Sequence, residues 1–166
     1  MVDKEHVGPG DQGLKKLAVD LIEGQSTMTL ATAKGDVAWS APVYYVFFKS
    51  FFYFFSDPSS RHIQESLASG QASSSIYANA STWQEIRGIQ MSGQMETVGP
   101  GLGAIQVIHA YLKKFPFTKD FFKPGQDLNL EAFVKRFKVK LYLFKPTLVY
   151  YLDNSIRFGF REEVNL

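Results

Sequence analysis
The stretch VAWSAPVYYVFFKSFFYFFS, residues 37–56, narrows the fold more than any other part of the chain. Ten of its twenty residues are aromatic, and Lys49 is its only charged side chain. Runs this rich in aromatic and β-branched residues favour strands, and the link Lys49-Ser50 is short enough for a tight turn between two of them. Residues 37–48 read as one long strand, with Val37, Trp39, Ala41, Val43, Tyr45 and Phe47 on one face. Residues 51–56 are the next strand.

Elsewhere strands outnumber helices. Asp11 is placed as the N-cap of a first helix in which Leu14, Leu17, Ala18, Leu21 and Ile22 share a face and which Gly24 ends. The segments 26–33, 72–78, 85–98 and 138–153 read as strands, the last bent or broken at Pro146. Pro58 suits the first position of a second helix that Gly70 closes. Leu102, Ile105, Ile108, Leu112 and Phe115 mark the apolar stripe of a third helix, with His109 packed beside it. FKPGQDLNL (122–130) reads as a loop, and EAFVKRFKVK (131–140) as a loop running into a strand edge. Strands joined by short turns, with no crossover helices between them, predict a mainly β (α+β) closed antiparallel barrel. Residues 1–11 are expected to be a disordered N-terminus and 12–166 a single domain.

Composition removes several chemistries. Without cysteine there is no disulfide, thiol nucleophile, thiolate zinc site or cysteine-ligated iron–sulfur cluster. A net charge of +2 is too small to argue for nucleic acid or anionic lipid. No apolar run approaches the roughly 18 residues of a membrane helix, and MVDKEHVGPGDQG has no signal-peptide core. The expectation is a cytoplasmic protein with neither nucleic acid nor membrane as partner. His6, His62 and His109 are too scattered in sequence to predict a metal site. GPGLGA (99–104) matches a loose dinucleotide fingerprint, but no parallel strand follows it, so these glycines read as a turn.

The segment SDPSSRHIQ (56–64) remains. A helix start offers unpaired N–H groups and partial positive charge, which suits a phosphate. Ser56, Ser60, Arg61 and His62 add hydroxyls, a guanidinium fork and an imidazole at the same place. An ordinary cap with a surface Arg and His has the same spelling. The adjoining Ser40-Ala41-Pro42-Val43-Tyr44 offers small residues against which a flat ring could lie.

The order MTLATAKGDVAWSAPVYYVFF, FFYFFSDPSSRHIQESL, IRGIQMSGQMETV resembles the flavin-binding split barrel of pyridoxamine 5'-phosphate oxidase and its relatives, over roughly residues 12–160. It is most similar to small bacterial proteins with the signatures (S/T)RH, IRG-x-Q and D-N-(S/T)-x-x-FG. The resemblance implies a six-stranded antiparallel split β-barrel with flanking helices, assembled as a homodimer with FMN at the subunit interface. It assigns Phe55 and Ser56 to an aromatic–hydroxyl pair at a strand end, and Arg61 and His62 to the phosphate. Ser40, Ala41, Pro42, Val43 and Tyr44 would flank the flavin ring, Gly88 and Gln90 would face it, and Phe158 and Arg161 would belong to a closing C-terminal segment.

Two departures bear on activity. The strand SAPVYYVFF lacks the Arg and Lys that the oxidase carries there. The Tyr-x-x-x-Arg-x-x-x-Ser pattern that holds the oxidase's substrate phosphate is here Tyr111, Phe115 and Lys119. The resemblance therefore implies an FMN-dependent oxidoreductase acting on a small substrate or electron donor other than pyridoxamine phosphate. The alternatives are a non-catalytic flavin carrier or sensor, or a nucleic-acid-binding β-barrel.

Overall fold
The computed structural model describes residues 9–121 and 130–166. The predicted disorder of residues 1–11 and the predicted loop at 122–130 fall mainly outside that range, although Asp11 is already helical. In chain order the elements are α1 (Asp11–Gly24), β1 (Thr27–Lys34), β2 (Val37–Tyr44), β3 (Val46–Phe48), β4 (Phe51–Ser56), α2 (Arg61–Ser69), β5 (Gln71–Tyr77), β6 (Arg87–Thr97), α3 (Leu102–Lys114), α4 (Leu130–Phe137), β7 (Lys140–Asp153) and β8 (Arg161–Glu163). Short 3-10 turns occupy Trp83–Glu85 and Pro116–Phe121.

Every pairing in the sheet is antiparallel, and its order is β2-β1-β5-β6-β7-β4-β3, with β8 beside β7. β2 and β3 stand at opposite ends of that order yet are consecutive in the chain, separated only by Tyr45. The long strand predicted at 37–48 is thus one strand bent at Tyr45, and the bend curls the sheet into a barrel. Tyr45 is fully buried, and its hydroxyl donates to the Ile22 carbonyl at 2.5 Å, tying the bend to α1.

Alternation along the strands sorts the aromatics. Phe52 and Phe54 point into the barrel with Met28, Leu30, Ile76, Ile89, Phe144 and Tyr151, and Leu14, Ala18 and Ile22 of α1 join this core. Tyr53 and Phe55 point the other way, into a second cluster with Val107 and Tyr111 of α3 and Phe115 just after it. Both faces of the most aromatic strand are therefore used.

β7 is one continuous strand through Pro146, and its register against β6 shifts between Ser92 and Gly93. Partners jump from Leu148 to Pro146, leaving Thr147 as the extra residue of a bulge, with its hydroxyl donating to the Ser92 carbonyl. A Cβ on Gly93 would lie 2.3 Å from the Lys145 oxygen, so only glycine fits opposite the bend.

Several local expectations shift. The cap of α1 is Gly10, and Asp11 lies in its first turn. α2 begins at Arg61 rather than Pro58, because Asp57 takes up the preceding residues in a turn. The buried stripe of α3 is Ala104, Val107, Ile108, Tyr111 and Leu112. Leu102 is 83% exposed, and His109 is exposed rather than packed. Residues 131–137, predicted as loop, belong to α4, because Leu130–Phe137 supports a helical as well as an extended reading.

Candidate functional site
The site is built where β4 hands over to α2. The Asp57 carboxylate accepts the Ser59 N–H and the Ser59 hydroxyl, each at 2.7 Å. These bonds hold the Asp57 carboxyl below the usual carboxylate range. The Ser60 hydroxyl donates to the Asp57 carbonyl at 2.7 Å, so it does not cap the helix it precedes. The N–H groups of Arg61 and His62 have no protein acceptor among the described residues. Beside them, His62 Nε2 lies 2.8 Å from Ser56 Oγ and 3.3 Å from Ser60 Oγ, and the two serine oxygens are 3.3 Å apart. Burial lowers the affinity of the half-buried His62 ring for a proton.

Arg61 turns away from this group, since successive helical residues diverge by about 100°. Its Nε donates to Glu65 Oε1 at 2.7 Å, and its guanidinium lies 4.7 Å from the centre of the Trp39 ring. Glu65 Oε2 accepts the Thr32 hydroxyl of β1 at 2.7 Å. The Thr32 hydroxyl, and then Arg61, hold the Glu65 carboxyl below its ordinary value. Both Nη groups of Arg61 are without a hydrogen-bond partner among the described residues. An open cleft of about 780 Å³ runs between the β1–β2 hairpin and α2, lined by Lys34, Val37, Ser59, Arg61, Gln64 and Glu65 among others. That volume falls within the roughly 300–1,000 Å³ usual for small-molecule sites.

The other predicted residues divide by strand register. Pro42, Thr29, Ser75, Gln90 and Tyr150 form one cross-strand row, and Ser40, Ala31, Ser73, Ser92 and Leu148 the next, on the outer face of the sheet. Gly88 is two residues from Gln90 on that face, and Arg161 stacks 4.4 Å over the Tyr150 ring at its edge. Tyr44 is also on the outer face, against Phe115 and Phe117. Ala41 and Val43 instead pair with Leu30 and Met28 on the inner face, where Val43 belongs to the core. The Phe55 ring packs edge-on against Tyr111. Phe158, 76% exposed, meets Trp83 in a T-shaped pair at the far end of the sheet. The structure thus gathers Ser56, Ser60, Arg61 and His62 at the head of α2. It sets Ser40, Pro42, Gly88, Gln90 and Arg161 on a different surface of the chain.

No family model and no curated protein matches the chain. Solved structures do. A FAD-binding protein from Mesorhizobium loti superposes with a TM-score of 0.61 at 19% identity, covering 81% of this chain and 90% of that one. A candidate pyridoxamine 5'-phosphate oxidase from Listeria innocua gives 0.63 at 12% identity over 84% and 98%. HutZ, the heme storage protein from Vibrio cholerae, gives 0.62 at 15% identity over 80% and 89%. The fold is the split barrel of pyridoxamine 5'-phosphate oxidase-like proteins.

Within this split barrel, sequence reasoning passed over Thr32, Trp39 as a stacking platform, and Glu65. The i,i+4 spacing of Arg61 and Glu65 was the available signal. Nothing local announces Thr32, which lies 33 residues away from its partner. Among the described residues no cluster of His, Asp and Glu could hold a metal ion, and no helix is long and apolar enough to cross a membrane.

Proposed function
We propose that this split-barrel protein binds FMN and acts as a flavin-dependent oxidoreductase on a small molecule other than pyridoxamine phosphate. The observation that carries the reading is the head of α2. Two hydroxyls and an imidazole gather there with two helix N–H groups without protein acceptors among the described residues, and the open arms of the Arg61 guanidinium belong to the neighbouring cleft. The two N–H groups, the Ser56 hydroxyl and the His62 ring fit a phosphate monoester, with Arg61 reaching it from the side of the cleft, while the Ser60 hydroxyl stays on the Asp57 carbonyl. When bound, the flavin supplies hydride acceptance, and the chain supplies binding and orientation.

The protein is further proposed to work as a homodimer in the cytoplasm. Tyr44, Tyr77, Trp83, Ile86 and Phe158 are large and exposed, which favours coverage by a second copy. The outer-face residues Ser40, Pro42, Gly88 and Gln90, with Arg161 and Phe158, would then approach the flavin across the interface.

A second reading is haem, favoured by the likeness to HutZ. An absorption spectrum of the freshly purified protein, repeated after mixing with FMN or hemin, separates the two. Flavin bands with a stoichiometric shift on binding support the proposal, and a Soret band without flavin uptake overturns it. Reduction by a nicotinamide donor, followed by transfer to an acceptor, separates an oxidoreductase from a carrier. Light scattering tests the assembly, and a mass of 18.7 kDa would remove the dimer.

A further inference from the structure
Arg61 is the permanently charged side chain at the head of α2, yet its charge is not free. Its Nε is bound to Glu65, and Glu65 cannot swing into water, being only 5% exposed with its second oxygen held by Thr32. The guanidinium also lies over the Trp39 ring, a cation–π contact that restricts its movement. The result is a neutral pair in which Arg61, a residue lining the cleft with Ser59 and Lys34, keeps its two Nη groups open. Its geometry suits a phosphate: a planar fork, already oriented, can donate two parallel hydrogen bonds. Its electrostatics are divided: the poorly solvated Glu65 carboxylate beside the fork repels an incoming dianion and is little screened by salt, while Lys34 on the same cleft attracts it.

We infer that Glu65 sets the affinity of this corner for phosphate-bearing ligands, orienting the Arg61 fork while cancelling much of its charge, so that the ligand is held loosely enough to exchange. The inference rests on the reading of this corner as a phosphate site. It makes FMN an exchangeable ligand of the chain rather than a permanently retained group, and it makes Glu65 the residue that decides between the two.

Glu65→Gln is the informative variant. The glutamine carbonyl can still accept from Arg61 Nε and its amide can donate to Thr32, so charge is removed while shape is kept. FMN and riboflavin binding should be measured by fluorescence quenching for the wild type, Glu65→Gln and Arg61→Ala, with a thermal melt on each. Folded Glu65→Gln should bind FMN roughly tenfold tighter, a change of about 1.4 kcal/mol, with riboflavin unchanged. Equal or weaker FMN binding by that variant overturns the inference. If Arg61→Ala weakens FMN selectively while Glu65→Gln does not tighten it, only the role of Glu65 falls. If Arg61→Ala leaves the preference for FMN over riboflavin intact, the phosphate reading falls and this inference with it. A measurement on the wild type alone serves if the variant does not fold. FMN should leave the protein on desalting, and stoichiometric retention would overturn the exchange.

Discussion

The seam between β6 and β7 and the corner at the head of α2 are both crowded, for opposite reasons. At the seam the crowding is between backbone atoms. Gly93 lies so close to Lys145 and Pro146 that a single added carbon would sit 2.8 Å from the Pro146 α-carbon and closer still to the Lys145 oxygen. At the corner the crowding is polar. Ser56, Ser60, His62, Arg61, Glu65 and Thr32 exchange hydrogen bonds, and the Nη groups of Arg61 are left over. A seam with nothing to spare specifies a shape. A corner that satisfies itself while leaving donors open can hold a stable fold and still accept a ligand.

The largest expected effect breaks the seam. In Gly93→Ala the new carbon meets backbone, which no side-chain rotation relieves, so β6 and β7 must part at the bulge. Urea denaturation should show a loss of about 3 kcal/mol. A variant as stable as the parent would mean that the seam has slack and that the contrast with the corner is false.

Removing the fork tests the other side. Arg61→Ala should weaken FMN binding roughly 10- to 100-fold, the equivalent of about 1.5–3 kcal/mol for one charge-assisted contact, while riboflavin is unaffected. Isothermal titration with both flavins checks it. An equal loss for both would move the phosphate away from this corner.

The smallest effect is a pH dependence from His62. Burial lowers its proton affinity in the free protein, so near neutral pH the ring is uncharged. A phosphate beside it favours the protonated form, and binding must then take up a proton. FMN affinity should fall as pH rises from about 6 to 8, by at most tenfold per unit, while riboflavin stays flat. The window begins near 6 because the ligand's phosphate loses its second charge below that. In the free protein the sign is the familiar one for a depressed histidine. Stability is full above the unfolded value near 6.5 and declines as pH falls below it. His62→Asn should abolish the slope in FMN affinity, and a slope that survives belongs to another group.

Much of the barrel was legible because alternation is a local property. Phe52 and Phe54 against Tyr53 and Phe55 already mark two buried faces, and Lys49-Ser50 marks the hairpin. The misreadings came where two local solutions compete. Asp57 drew Ser59 into a turn, so Pro58 does not open α2. Leu102 and Ile105 spell an apolar stripe on α3, yet the helix buries the face of Ala104, Val107 and Tyr111, because those residues meet the outer side of β4. At the site, the hydroxyls and cations of 56–62 could be read from their spacing. The partners Thr32 and Trp39 could not, since only the packing of α2 across the β1–β2 hairpin brings them to Glu65 and Arg61.

The bend at Tyr45 also has a consequence for how the chain is made. Because β2 and β3 are one strand, the barrel is completed only when β7 pairs with β4 on one side and β6 on the other. Phe52 must therefore wait for Phe144, and Gln90 for Tyr150. During synthesis the edges of β4 and β6 stand open until the last quarter of the chain emerges, exposing the most aromatic strand to wrong partners. Maturation of this protein should be limited by the arrival of its final long strand, and premature termination before residue 140 should yield an aggregating species rather than a smaller folded one.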